Sequence, residues 1–121
     1  MKLVYVAGPF RGRDSWEISK NVRRAEELAA EVWKLGAVAI CPHKNTENFQ
    51  GMLPDAVFIE GTLAMLKVCH AMIVVPNYQR SDGTKGEIEF AKEHHIPVFY
   101  SVFQLKRWIA EASLPRELNG N

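Results

Sequence analysis

The sequence predicts an α/β domain: one doubly wound, flavodoxin-like or Rossmann-like unit around a mainly parallel sheet of four to five strands. Three observations carry that expectation. Short β-rich apolar runs alternate along the chain with longer segments of helical period. The run Ala71-Met72-Ile73-Val74-Val75 holds no polar residue, as a strand covered on both faces requires. Three of the runs stop at Gly8-Pro9, Pro42 and Pro76, residues that end strands and open loops. With 121 residues, the chain suffices for one such domain, expected over 1–113, with 114–121 fraying as a tail.

Each element follows from its local pattern. Lys2-Leu3-Val4-Tyr5-Val6-Ala7 reads as the first strand. From Asp14, Ile18, Val22, Ala25, Leu28, Ala29, Val32 and Leu35 recur at three- and four-residue steps, giving one apolar helix stripe. Asp14 or Ser15 can cap its start, and Gly36 suits its end. Ala37 to Ile40 reads as a second strand and the polar stretch Lys44 to Leu53 as a loop. Pro54-Asp55 opens a helix whose apolar face carries Phe58, Ile59, Leu63, Leu66 and Cys69, with Gly61 as a weak point. After the third strand, Arg80 to Lys85 reads as a polar turn and Gly86 to His95 as a helix. Ile96 to Tyr100 follows as a fourth strand, and Val102 to Ala112 as a last helix.

Composition excludes several classes of function. A hydrophobic share of 47% and a charged share of 24% are those of a globular chain, not a disordered one. A formal net charge of +1 provides no basic field for duplex nucleic acid. No apolar run reaches the ~20 residues of a membrane span, and Met1-Lys2 leads straight into the first strand, so a cytoplasmic chain without a membrane partner is expected. Cys41 and Cys69 fit a reduced compartment. Cys41-x-His43, Cys69-His70 and His94-His95 lack the spacing of a zinc site, and no resident metal is expected. Gly-Lys-Ser/Thr and Gly-x-Gly-x-x-Gly are both absent, and no cofactor is expected either.

In an open parallel sheet, ligands bind beyond the carboxyl ends of the strands. The unusual residues of this chain collect there: Gly8-Pro9-Phe10-Arg11-Gly12-Arg13, Pro42-His43-Lys44-Asn45, Pro76-Asn77-Tyr78 and Ser81-Asp82-Gly83-Thr84. Two arginines and a glycine ahead of a helix N-terminus suit an oxyanion such as phosphate, or are simply two solvated arginines at a turn. Glu87 falls in the expected first turn of a helix, where the dipole keeps a carboxylate ionised for use as a nucleophile or an acceptor of sugar hydroxyls. Equally, Thr84-x-x-Glu87 reads as a capping box that serves stability alone. Glu89 points elsewhere and is solvated.

In order along the chain occur Val4-Tyr5-Val6-Ala7-Gly8-Pro9-Phe10, a helix, Cys41-Pro42-His43, Leu63-x-x-Leu66-x-x-Cys69-x-Ala71 and Ser81-x-Gly83-Thr84-x-x-Glu87-Ile88-x-x-Ala91. Together they resemble the nucleoside 2-deoxyribosyltransferase-like superfamily, including its small phage and bacterial members, from about Lys2 to Tyr100. The resemblance implies N-glycosidic chemistry on a nucleoside or nucleoside 5′-monophosphate. The family's glutamate nucleophile falls on Glu87, and the tyrosine that holds it falls on Tyr5. Gly8, Pro9 and Phe10 line the sugar and base pocket, with His43, Asn45 and Gly83 as further substrate-binding candidates. Arg11, Gly12, Arg13, Ser81 and Thr84 fall where the nucleotide-hydrolysing branch binds phosphate.

Two departures bear on catalysis. Family aspartates are replaced by Thr62, one residue ahead of Leu63, and by His70, just before the third strand. Thr62 cannot protonate a departing base at neutral pH, which leaves Asp82 or His43 as the proton source. A module that binds a nucleotide or sugar phosphate without cleaving it is the alternative reading. A phosphoribohydrolase, echoed in Gly83-Thr84-Lys85-Gly86-Glu87, is a second. The breadth of the apolar surface around Phe58, Ile59, Leu63, Met65 and Leu66, and the shared pockets of the relatives, lead to the expectation of a homo-oligomer, dimer or tetramer.

Overall fold

A computed structural model describes residues 1–113 of the chain; the expected tail, 114–121, lies outside the described residues. The elements run β1 (Leu3–Ala7), α1 (Ser15–Lys34), β2 (Val38–Ile40), α2 (Pro42–Asn45), α3 (Asp55–Lys67), β3 (Ala71–Val74), α4 (Asp82–Glu93), β4 (Val98–Phe99) and α5 (Val102–Ala112). The four strands pair in the order β2-β1-β3-β4, and every pairing is parallel. The chain therefore leaves β1 in one direction to reach β2 and returns past it to β3. The gap between the loops after β1 and β3 is the topological switch point.

Strand alternation builds two cores. Val4, Val6, Ala71 and Ile73 point to the face covered by α1 and α5, where they meet Ala25, Ala29, Val32 and Leu105. Tyr5, Ala7, Met72 and Val74 point to the opposite face, among Leu66, Cys69, Ile88 and Ala91 of the α3–α4 layer. Burial on both faces explains why β1 and β3 are continuously apolar rather than alternating.

The ends of the elements have local causes. Asp14 caps α1 by accepting the Glu17 N–H at 2.9 Å. The helix ends where Gly36 takes φ +86°, with Gly36 N–H donating to the Trp33 carbonyl and Ala37 N–H to that of Val32. That pair of bonds is a Schellman ending, which favours a residue without Cβ.

Three expectations are corrected. Helix α4 starts at Asp82 rather than Gly86, because Ser81 Oγ caps it by accepting the Thr84 N–H at 3.1 Å. Pro42–Asn45 forms a helical turn inside the stretch read as strand end and loop, since proline suits a first helical position. The fourth strand shortens to Val98–Phe99. Helix α3 starts at Asp55, in line with the Pro54-Asp55 opening, and runs unbroken through the weak point at Gly61.

At the switch point the backbone of Gly8 passes against Val75. A Cβ on Gly8 would lie 2.6 Å from Val75 Cγ2 and 2.9 Å from Val75 Cβ. We expect Gly8→Ala to destabilise the fold by about 1–3 kcal/mol, the usual range for overpacking a core. A melting temperature within 2 °C of wild type would refute that expectation.

Candidate active site

Tyr5 lies at the middle of β1 and points into the α3–α4 layer, where its side chain is buried. Its hydroxyl donates a short hydrogen bond to Glu87 Oε2, across 82 positions of sequence. With Ser81 as the cap, Glu87 is the sixth residue of α4 and belongs to the second turn. The capping-box reading of Thr84 and Glu87 is thereby overturned: the carboxylate reaches Tyr5 and not its own helix end. Thr84 is buried, and its Oγ1 donates to Ser81 Oγ at 2.9 Å, so Ser81 and Thr84 are spent largely on each other.

The charge state expected for Glu87 also changes. Burial pushes its pKa up to about 7, offset in part by the Tyr5 hydrogen bond. Removal from water penalises the ionised form more than a helix start one and a half turns away can repay. The same burial, and the neighbouring carboxylate, raise the Tyr5 phenol far above its ordinary value. Tyr5 is therefore a fixed donor, and Glu87 is poised to change charge near neutrality. Thr62 of α3 lies beside the phenol, and its hydroxyl donates to the Ile59 carbonyl at 2.9 Å.

The other expected residues take varied places. His43 is buried, its Nε2 within 3.0 Å of the Gly8 carbonyl and 2.9 Å of that of Pro9. Burial lowers its pKa, so the ring is neutral and donates from Nε2. Phe10 packs edge-on against that ring, with centroids 5.8 Å apart. His43 thus braces the loop after β1 from behind. Arg11 pairs with Asp55 at 2.8 Å, and both are exposed. Arg13 binds Glu17 through its guanidinium and its backbone N–H. Gly12 is closed in, since a Cβ there would lie 2.5 Å from Glu17 Cβ. Asp82 is exposed at the first position of α4, about 140° around the helix from Glu87. Gly83 beside it is exposed, and Asn45 closes α2.

Asn21 is a participant that sequence reading missed. Its Nδ2 donates to the carbonyls of Phe10 and Arg11 at 3.2 and 3.0 Å, tying the loop to α1. A polar residue beside the apolar stripe was the only available signal, and it does not say which carbonyls lie within reach. A groove of about 560 Å³ lies at the free edge of β2, walled by Trp33, Met65 and Val68. It is remote in chemistry from the Tyr5–Glu87 pair, and its one cation, Lys44, is engaged by Glu26 and Glu47. Paired titratable groups mark a reactive site better than volume does. Among the described residues no three His, Cys, Asp or Glu side chains gather as metal ligands would. No helix among them is long and apolar enough to cross a membrane.

In architecture this is a 2-deoxyribosyltransferase-like α/β domain. It superposes on a 2-deoxyribosyltransferase from the psychrotolerant bacterium Bacillus psychrosaccharolyticus, a biocatalyst for nucleoside synthesis. The TM-score is 0.58 at 21% identity, over 79% of this chain and 69% of that one, a likeness of fold. The chain belongs to the family of the domain of unknown function DUF7768, whose model matches residues 2–101. No curated protein matches it.

Proposed function

We propose that this chain cleaves the N-glycosidic bond of a nucleoside or nucleoside 5′-monophosphate, with Glu87 as the nucleophile. The observation that carries this reading is the Tyr5–Glu87 hydrogen bond, which joins a strand and a helix beside the switch point. A half-buried carboxylate held by one oxygen, with its proton affinity near neutrality, has no structural role that a neutral side chain could not fill. Ionised, Glu87 attacks C1′ through the oxygen that Tyr5 does not hold. The C1′–N bond breaks as the C1′–O bond forms, passing through an oxocarbenium-like transition state. The resulting ester is released by water, or by a second base in a transfer, and the carboxylate returns.

The departing base needs a proton. His43 has none to give, being neutral and committed to the Gly8 and Pro9 carbonyls. Asp82 is exposed at the start of α4, about 140° around the helix from Glu87, so the departing base takes its proton from water instead. A 5′-phosphate meets the same helix start, where the N–H groups of Asp82 and Gly83 have no partner within the helix. Arg11 reaches it by releasing Asp55, an exposed pair of small worth.

The test is incubation with a panel of nucleosides and their 5′-monophosphates, followed by detection of free base. We expect release from at least one of them, and none from Glu87→Gln. Arg11→Ala should raise KM about tenfold for a monophosphate and leave it unchanged for the nucleoside; equal KM shifts for both would remove Arg11 from phosphate binding. Thr62 favours a second reading, because a hydroxyl bonded to its own helix stands where an acid is needed. Stabilisation in a thermal shift without release of base would establish a nucleotide-binding module instead.

A further inference from the structure

Among the described residues, the groups around Glu87 that carry a transferable proton are all committed. Thr62 of α3 gives its hydroxyl hydrogen to the Ile59 carbonyl at 2.9 Å. Tyr5 gives its own to Glu87 Oε2, and burial with that carboxylate beside it holds the phenol far above its ordinary value. Cys69, in the same buried cluster as Tyr5, donates to the Met65 carbonyl at 3.3 Å, and burial pushes its thiol up to about 11. His43 is neutral, with its one N–H shared between the Gly8 and Pro9 carbonyls. The carboxyl groups of the flanking helices face elsewhere. At about 100° per residue, Asp82, Glu89 and Glu93 lie about 120–160° around α4 from Glu87, and Glu60 about 160° around α3 from Thr62. Asp55 shares the side of Thr62 but sits about 10 Å farther along α3, paired with Arg11.

Glu87 is also without a cation. No Lys, Arg or His forms an ion pair with it among the described residues. Its hydrogen bond comes from a neutral phenol. A half-buried carboxylate in this setting is stabilised by a positive charge brought to the place where it attacks. The two observations meet in one requirement on the substrate. A neutral base leaves C1′ as an anion and needs a proton as it goes, a step at which a positioned acid is worth about 10²- to 10⁴-fold. A base that is positively charged before the bond breaks leaves neutral and needs none.

We propose that the substrate of this site is an N-glycoside whose base already carries a positive charge, as a pyridinium or an N-alkylated purine nucleotide does. The inference rests on Glu87 as the nucleophile. One oxygen of the ionised carboxylate forms its bond to C1′ as the C1′–N bond breaks. The electron pair of the broken bond passes to the base and cancels its charge, so a neutral molecule departs and no proton moves. Water then attacks C1′, the ester C–O bond breaks, the carboxylate returns and one proton goes to solvent. In sum, a cationic glycoside and water give a neutral base, the free sugar or sugar phosphate, and a proton. The positive charge pairs with Glu87 on binding and vanishes as the bond breaks, so attraction and departure make the same demand.

Two matched pairs of 5′-monophosphates differ chiefly in that charge. One is nicotinamide mononucleotide against its reduced, uncharged form; the other is N7-methylguanosine monophosphate against guanosine monophosphate. Each is supplied with ribose and with 2′-deoxyribose, and spontaneous release is subtracted with Glu87→Gln as the blank. We expect kcat/KM to be at least about 100-fold higher for the charged member of at least one pair. Whether the pyridinium, the alkylated purine or both show that ratio identifies the source of the charge. A smaller ratio in both pairs, or release from uncharged substrates only, overturns this inference and leaves Glu87 as the nucleophile for another substrate class. No release from any member, nor from the wider panel of nucleosides and 5′-monophosphates, overturns the nucleophile and this inference together.

Discussion

Glu87→Gln is expected to lower release of base by on the order of 10³-fold or more, and at the same time to make the fold more stable at alkaline pH. The first effect follows because an amide cannot form and break the ester to C1′. The second follows from the raised pKa. Between about pH 4.5 and about 7 the native protein holds a proton on Glu87 that the unfolded chain has lost. Stability therefore falls as pH rises through that window and levels off above about 7, a loss of about 3 kcal/mol at most. Glutamine keeps an acceptor for the Tyr5 hydroxyl and carries no charge, so the variant escapes the loss. Melting curves of both proteins at pH 5 and pH 8 decide the point. The variant should gain roughly 10 °C on wild type between the two pH values, and an advantage that does not change with pH would show that Glu87 is ionised throughout.

Tyr5→Phe is expected to shift the pH dependence as well as the rate. The phenol hydrogen bond is what holds the Glu87 pKa down against burial. Without it the carboxylate loses an interaction of about 1.5–3 kcal/mol, and its pKa climbs by about one to two units. The nucleophile must be ionised, so kcat/KM rises with pH up to the pKa of the free enzyme. In wild type that limb bends near pH 7; in the variant it bends nearer pH 8 to 9. At pH 7 the rate should fall about 5- to 50-fold, and at pH 9 most of the loss should be recovered. A loss of the same size at every pH would mean that Tyr5 only packs the core.

Much of the fold is legible in the residues themselves. Apolar runs such as Val4 to Ala7 and Ala71 to Val74 declare strands covered on both faces. The stripe from Val22 to Val32, with Asp14 before it and Gly36 after it, declares α1 and its ends. The start of α4 was missed because several residues of Ser81-Asp82-Gly83-Thr84 can cap a helix, and local preference does not rank them. The structure ranks them by burying Thr84 and leaving Ser81 to accept its N–H.

The site was legible in part, through the resemblance that joins Tyr5 to Glu87. The partners of the other residues were not. Arg11 is 44 positions from Asp55, and His43 is 34 or 35 from the carbonyls it braces. No spacing rule spans those separations.

By itself, then, the sequence determined the elements, their order, and the apolar faces that make a parallel sheet the stable solution. These depend on periodicity and capping within a few residues, where steric and hydrogen-bonding preferences act directly. Only the tertiary structure decided that Glu87 is withdrawn from water against Tyr5, and that one side of α3 is left bare. Both are matters of what remains exposed after distant segments have packed, and solvation is a property of the assembled surface rather than of any stretch of chain.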